Sequence, residues 1–156
     1  MEREGDPENR VSGLQLIVGA PLLAEMARHA SDRLPFESGG LLLGQKKSEA
    51  LVARRFVPLE SVLPSPERYR AGAAETVRAV ARAARSGQRV VATVHSHPGG
   101  SETPSQSDLQ WAFAYKDCAH LLVVFSRGLP SFRAYEYVRS KQRTIFIPVT
   151  LVADPT

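Results

Sequence analysis

The sequence predicts a mixed α/β (α+β) domain in which helices pack against a single twisted β-sheet. Strand-like runs of β-branched and apolar residues alternate with stretches whose apolar residues recur at helical spacing. Glycine and proline separate these segments, as is typical of turns and helix ends. A chain of 156 residues with 43% hydrophobic residues can bury one sizeable core, whereas a second independent core would be crowded.

The N-terminal segment differs from the rest of the chain. Residues 1–12 are polar and mixed in charge, so we interpret them as a flexible tail before a domain of residues 13–156. The segment lacks the apolar stretch of a secretory signal. Because Cys118 is the single cysteine, no intramolecular disulfide can form, and a reducing cytoplasmic location is expected.

The first half of the chain supplies the start of the predicted sheet. Gly19-Ala20-Pro21 is a typical helix start, because proline is favoured in the first helical turn. Lys46-Lys47-Ser48 is a polar turn, so the strands on either side of it are expected to form a hairpin. The predicted elements are a strand at 14–18, the helix after Gly19, strands at 41–45 and 51–59, and irregular structure at 60–71.

The second half alternates in the same way. A helix is predicted at 73–85, because Gly87 is a good helix stop. The expected inward face of this helix consists of Val77, Val80, Ala81 and Ala84. A β-branched strand at 89–97 then leads straight into two histidines. The remaining predicted elements are a helix at about 105–115, strands at 120–126 and 131–138, and a last strand at 144–152.

Two classes of partner receive no support from composition. The net charge of +4 comes from scattered arginines without interleaved aromatic residues, so nucleic acid is not an expected partner. No segment approaches the run of roughly 18 apolar residues that would suggest a membrane span, so no membrane partner is expected either.

The histidines at the end of the strand at 89–97 form a candidate metal site. Side chains at positions i and i+2 of a strand point to the same face, so His95 and His97 can offer two imidazole nitrogens to one ion. Asp108, brought back at the start of the next helix, can supply a third ligand. This ligand set suits zinc, and three protein ligands leave a fourth tetrahedral position open, which is typical of catalytic sites.

A simpler interpretation of part of this pattern stays open. Ser105 and Asp108 have the spacing of a helix capping box, so they could act only as a cap. The His-x-His pair beside them favours the metal site. The loop between the ligands contains glycine and proline, which lets the chain reverse and a substrate backbone approach closely.

With these residues the sequence resembles the JAMM metalloproteases, also called MPN-plus or JAB proteins. Their signature is a glutamate far upstream, then His-x-His, ten residues and an aspartate. Ten residues, 98–107, separate His97 from Asp108 here. The matching pieces of sequence are Pro35 to Leu42 around Glu37, His95 to Pro98, and Pro104 to Asp108. Many prokaryotic members carry cysteine where this chain has Gly39, a position that is not a ligand in the family.

The resemblance implies a fold and a mechanism. It implies the cytidine-deaminase-like MPN/JAB architecture and one catalytic Zn²⁺ ion held by His95, His97 and Asp108. It also implies that Glu37 is the general base and that the Ser105 hydroxyl helps to stabilise the oxyanion. Without the resemblance, Glu37 would be interpreted as an exposed carboxylate at a strand edge.

The resemblance further implies a substrate class. The expected reaction is hydrolysis of the peptide or isopeptide bond after the C-terminal Gly-Gly-type tail of a ubiquitin-like protein, either from conjugates or from a precursor. Prokaryotic relatives include enzymes that act in conjugation and antiphage operons and others that trim sulfur-carrier proteins. A non-catalytic MPN-type partner-binding module with a structural metal stays open as an alternative. The loops at 60–72 and 98–104 are the expected contact regions.

Overall fold

The computed structural model describes residues 12–111 and 117–154. Its elements are β1 (Gln15–Gly19), α1 (Ala20–Asp32), β2 (Gly39–Lys47), β3 (Ala50–Leu59), α2 (Ala73–Arg85), β4 (Arg89–His97), α3 (Gln106–Trp111), β5 (Ala119–Ser126), β6 (Leu129–Ser140), β7 (Arg143–Pro148) and β8 (Thr150–Asp154). The predicted mixed α/β architecture with a single sheet is confirmed.

The eight strands form one mixed sheet in the order β7-β6-β5-β4-β2-β3-β1-β8. β1 runs parallel to β3 and β8, and β4 runs parallel to β5, whereas the other neighbouring strands are antiparallel. β7 and β8 lie at opposite ends of this order although Val149 alone separates them in the chain. The sheet therefore curls until its two edges meet, and the Val149 N–H donates to the Ala134 carbonyl on β6 (2.9 Å).

One face of the curled sheet forms the main core beneath α1. Met26 and Ala30 of α1 are buried in a continuous apolar cluster that also contains Leu16, Leu42 and Leu121 of the sheet. These three leucines are fully buried, and burial of such a side chain stabilises the fold by about 1.5–3 kcal/mol. The α1 face therefore supplies most of the apolar burial in the described part of the chain.

The opposite face carries α2 and α3, and the predicted inward face of α2 is wrong. Val77 is 68% exposed and Val80 is 39% exposed, whereas Ala79 and Ala83 pack against the sheet. The sheet surface beneath α2 consists of leucines, so the small alanines let the helix approach closely and its valines turn outward.

The predicted last strand at 144–152 is also wrong, because two strands occupy this segment. β7 pairs with β6, and β8 pairs with β1 at the other end of the sheet. Pro148, at the end of β7, lacks the N–H needed inside a sheet and suits an edge strand. Hydropathy along the segment is continuous, so the change of edge is a property of the curled sheet.

Three predictions extend beyond the described residues. The helix predicted at 105–115 is α3 as far as Trp111, and residues 112–116 lie outside the described part. Of the predicted tail, residues 1–11 lie outside it too; Ser12 is buried and donates a hydrogen bond to Glu136 (2.6 Å). Among residues 12–111 and 117–154, the longest helices have 13 residues, and none could span a bilayer.

Candidate metal centre

The end of β4 places two imidazoles on the face of the sheet that carries α2 and α3. Gly39 of β2 lies opposite His95 on one side, and Leu122 of β5 lies opposite it on the other. His95 and His97 are both buried, and their rings are 4.9 Å apart. Because two neighbouring strands hold β4, the direction of both side chains is set by the sheet.

The structure brings the three predicted ligands together. The distances between His95 Nε2, His97 Nε2 and Asp108 Oδ2 are each 3.1 Å. Donor atoms bound to one tetrahedral zinc at about 2.0–2.1 Å lie about 3.3 Å apart, so this triangle fits the ion closely. Three donors at one face of a tetrahedron leave a fourth position for another ligand.

The proposed capping box is present and coexists with the ligand triangle. The Asp108 carboxylate accepts the Ser105 N–H (2.8 Å), while the Ser105 hydroxyl oxygen accepts the Asp108 N–H (3.0 Å). The cap thus fixes the same Oδ2 atom that faces both histidines. The two interpretations of the Ser-x-x-Asp spacing are therefore compatible, because capping positions the carboxylate.

The loop after β4 orients His97. Nδ1 of His97 lies 2.9 Å from the Ser101 carbonyl oxygen, which can only accept, so Nδ1 carries a proton, and loss of the second proton leaves the Nε2 lone pair for a metal ion. Burial acts to lower the pKa of His97, but hydrogen bonds to Asp108 and Ser101 raise it overall. Burial acts to raise the pKa of Asp108, yet hydrogen bonds from the two histidines hold it well below its usual range.

Glu37 lies beside this triangle as a buried carboxylate. Burial raises its pKa to about 7, an effect opposed by the charge of His97 and reinforced by that of Asp108. Its Oε2 atom is buried without a hydrogen-bond partner among the described residues. A buried polar atom without a protein partner indicates a position where water or a ligand binds. The residue therefore does not occupy an exposed strand edge.

Two serines to which the spacing assigned no role, Ser38 and Ser96, connect the segment of Glu37 to that of the histidines. The Ser96 hydroxyl accepts the Ser38 N–H (2.9 Å), and the Ser96 N–H donates to the Ser38 carbonyl (2.8 Å). Both serines are buried, so these bonds extend the β2–β4 pairing to the residue that follows Glu37. The sequence signal for this role is a small hydroxyl residue between the two histidines.

A further residue to which the sequence pattern assigned no role is Tyr69, in the loop at 60–72. Its ring is parallel to that of His95 at 6.4 Å, and its hydroxyl donates to the Leu59 carbonyl (2.8 Å). A Cβ atom on Gly39 would lie 2.9 Å from the Tyr69 ring and 2.1 Å from the Val94 carbonyl oxygen. Close packing therefore requires glycine here.

A third buried histidine, His120, lies near the triangle but does not join it. Its Nδ1 is 2.6 Å from the Thr93 hydroxyl, and its ring stacks on Tyr137 at 3.7 Å. Burial lowers its pKa to about 3, so it is neutral at physiological pH. Cys118 is 1% exposed, and burial raises the pKa of its thiol to about 12.

Comparison with known proteins gives this geometry a family context. A family model described as prokaryotic homologs of the JAB domain matches residues 19–138. A relative from Thermus thermophilus, named a probable TtuB-protein conjugate cleaving protease, is 36% identical over 101 residues. That match spans 64% of this chain and 65% of the relative, which is less than two thirds of its length.

Solved structures share the fold. A protein from Desulfitobacterium hafniense is 24% identical with a TM-score of 0.73 and covers 90% of this chain and 94% of its own. A JAB1/MPN domain protein from Archaeoglobus fulgidus is 21% identical with a TM-score of 0.53, covering 89% and 97%. These likenesses extend over nearly the whole chain, and the family match covers most of it, from residue 19 to residue 138. The chain belongs to the prokaryotic JAB family.

Proposed function

We propose that this protein is a zinc-dependent peptidase or isopeptidase that cleaves the bond after the C-terminal glycine of a ubiquitin-like protein. The observation that carries the proposal is the triangle of donor atoms from His95, His97 and Asp108, with equal separations of 3.1 Å. Beside it lies Glu37, a carboxylate with an unpartnered oxygen. A structural zinc site fills four positions with protein ligands, whereas the described residues supply three here.

The metal and Glu37 have separate roles in the proposed reaction. Zinc bound at the triangle supplies Lewis acidity, which lowers the pKa of water and polarises a carbonyl group. Glu37 accepts the proton of the attacking water and then delivers it to the leaving amine. Because burial raises its pKa to about 7, this carboxylate can both take up and release a proton near neutral pH.

Ser105 is proposed to stabilise the oxyanion. Its hydroxyl oxygen accepts the Asp108 N–H, which holds the side chain at the start of α3 beside the ligand triangle. Among the described residues its O–H proton has no hydrogen-bond acceptor, so it is free to donate to a substrate oxygen. Removal of one oxyanion donor typically raises the barrier by about 2.7–4 kcal/mol.

The substrate class rests on the family and on one relative. The Thermus protein is named for cleaving TtuB-protein conjugates, and we propose a ubiquitin-like protein, or its precursor, as the partner of this chain. Trimming of a sulfur-carrier tail is the same chemistry on a linear peptide bond. The loop at 60–72 lies next to the site, because the Glu37 N–H donates to the Ser65 carbonyl (2.8 Å).

The test compares zinc-loaded variants on ubiquitin-like proteins that carry C-terminal extensions or lysine conjugates. Glu37→Gln keeps the size of the side chain and is expected to lower kcat by about 10²–10⁴-fold while zinc still binds. Glu49→Gln, an exposed carboxylate in the turn between β2 and β3 at the end of β2 far from Glu37, is the matched control and should stay active. Equal activity of Glu37→Gln and the unchanged protein would remove the mechanism.

The non-catalytic alternative predicts a different outcome in the same experiment. If zinc served only to hold the fold, its removal by a chelator would unfold the domain, and no substrate would be cleaved. We expect the metal-free protein to stay folded, because the main core beneath α1 does not include the metal ligands. Circular dichroism before and after chelation measures this directly.

A further inference from the structure

We propose that Tyr135 on β6 is a positioning residue for the metal centre. The inference rests on the proposed zinc site, and it assigns to a side chain outside that site the task of orienting one of its ligands. In the described structure Tyr135 makes no hydrogen bond or ring contact with the three proposed ligands. Its influence passes through the loop that joins β4 to α3.

The first step is the dependence of His97 on this loop. The imidazole is oriented by its hydrogen bond to the Ser101 carbonyl, which fixes the protonated nitrogen and leaves Nε2 as the ligand. Ser101, Glu102 and Thr103 are exposed, and Gly100 has a φ of +88°. A short exposed segment of this kind needs an anchor if its carbonyl is to hold a fixed direction.

The second step is the anchor itself. The Tyr135 hydroxyl donates to the carbonyl of Glu102, the residue after Ser101, over 2.6 Å. Its ring is buried, with 8% of the residue exposed, and packs edge-on against Phe146 with a centroid distance of 5.2 Å. Because β5 and β7 both pair with β6, the position of this hydroxyl is set by the sheet.

The third step links the same side chain to the aspartate ligand. The Tyr135 ring belongs to the small apolar cluster that contains Leu122 and Val124 and against which Leu109 packs. Leu109 follows Asp108 on α3. Tyr135 therefore supports both segments that precede or carry the aspartate ligand: the loop through its hydroxyl, and α3 through the cluster to which its ring belongs.

A neighbouring interaction supplies a matched comparison. Arg133, two residues earlier on β6, forms a salt bridge with the Glu102 carboxylate at 3.1 Å, with both side chains substantially exposed at 44% and 61%. Exposed ion pairs of this kind constrain geometry weakly. Two contacts thus run from the same strand to the same loop residue, and the buried one carries the positioning role.

The experiment measures zinc affinity of the metal-free protein by competition with a chromophoric chelator. Loss of a group that directly orients a ligating histidine typically weakens metal binding by about 10–100-fold. Tyr135→Phe keeps the Ser101 carbonyl and removes only the anchor of its loop, so zinc binding should weaken by about tenfold, the lower end of this range. Arg133→Ala should stay within about twofold of the unchanged protein. Circular dichroism checks that Tyr135→Phe is folded without metal. We expect it to be folded, because phenylalanine keeps the ring that packs in the cluster.

A second measurement separates positioning from general support of the fold. Nitrogen-15 NMR of the metal-free protein at alkaline pH, where the imidazole is neutral, should show His97 protonated at Nδ1 in the unchanged protein and a mixture of tautomers in Tyr135→Phe. Unchanged zinc affinity and an unchanged His97 tautomer in a folded Tyr135→Phe would overturn this inference alone. Failure of the unchanged protein to bind zinc would overturn the proposed function together with it.

Discussion

The two faces of the sheet differ in what they bury. The α1 face packs a continuous cluster of eighteen buried apolar residues in the described part of the chain. The α2 and α3 face has two smaller clusters of four buried residues each, and the polar side chains of Glu37, His95, His97 and His120 are also buried. Desolvated polar groups destabilise a fold unless they are partnered. Apolar burial on the α1 face therefore offsets the destabilisation that buried polar groups cause on the α2 and α3 face.

Two adjacent leucines on β5 provide the strongest test of this difference between the two faces. Leu121 and Leu122 are both fully buried, but Leu121 belongs to the α1 cluster and Leu122 to the cluster beside α3. Replacement of either by alanine should lower the free energy of unfolding by about 2–5 kcal/mol. Leu122 lies opposite His95 and belongs to the cluster against which Leu109 of α3 packs. We therefore expect Leu122→Ala, but not Leu121→Ala, to weaken zinc binding as well.

Urea unfolding of the metal-free variants measures the first effect, and zinc titration of the folded variants measures the second. Because the substitution, the strand and the burial are the same in both variants, only the face of the sheet differs. If Leu121→Ala weakened zinc binding as much as Leu122→Ala, the division between a stabilising face and a chemical face would not hold.

The cost of burying Glu37 gives a smaller, pH-dependent effect. Burial raises its pKa from 4.5 to about 7. Between these values the unfolded chain has released the proton while the folded chain still holds it, so stability falls as pH rises through this window. In the metal-free protein, Glu37→Gln should therefore raise the free energy of unfolding above pH 7 by about 1–2 kcal/mol, a value discounted for solvent at the cleft.

Below pH 4.5 the same substitution should have little effect on stability, because the carboxyl is then neutral in both the folded and the unfolded chain. Chemical denaturation of both proteins across this pH range provides the measurement. A constant difference at every pH would show that the effect comes from packing instead of ionisation. The proposed role of Glu37 therefore predicts that this variant combines reduced activity with greater stability.

The smallest expected effect tests how α2 faces the sheet. Val77 is 68% exposed, so Val77→Ser should change the free energy of unfolding by no more than about 0.5 kcal/mol. Ala83 is buried against the leucines of β2 and β3, so Ala83→Val should destabilise the domain by about 1–3 kcal/mol through overpacking. Thermal unfolding of the two variants provides the measurement. If the valines faced the core, Val77→Ser would be more destabilising than Ala83→Val.

The sequence predicted local elements well where a strong pattern ended at a clear stop. α2 and β4 have the predicted bounds, because alanine-rich helical spacing ends before Gly87 and a β-branched run leads into His97. The rotation of α2 was not predictable in the same way. Apolar residues occur on more than one side of this helix, and the choice between them depends on the leucines it meets.

The candidate site divides similarly. The spacing of His95, His97 and Asp108 was sufficient to predict that they meet, since strand alternation and a helix start are local features. Ser96, Tyr69 and Tyr135 could not be assigned from spacing, because their partners lie 58, 10 and 33 residues away in the chain. Hydrogen bonds over such separations depend on strand order and register.

The sequence by itself determined the mixed α/β class, the family and the set of residues that meet at the centre. The tertiary structure decided that Val149 separates strands at opposite edges of the sheet and that alanines of α2 face the core. It also decided that β6 holds the loop beside His97 through Tyr135. The physical reason is that periodicity and capping act within a few residues, whereas curling, packing and distant hydrogen bonds require the assembled sheet.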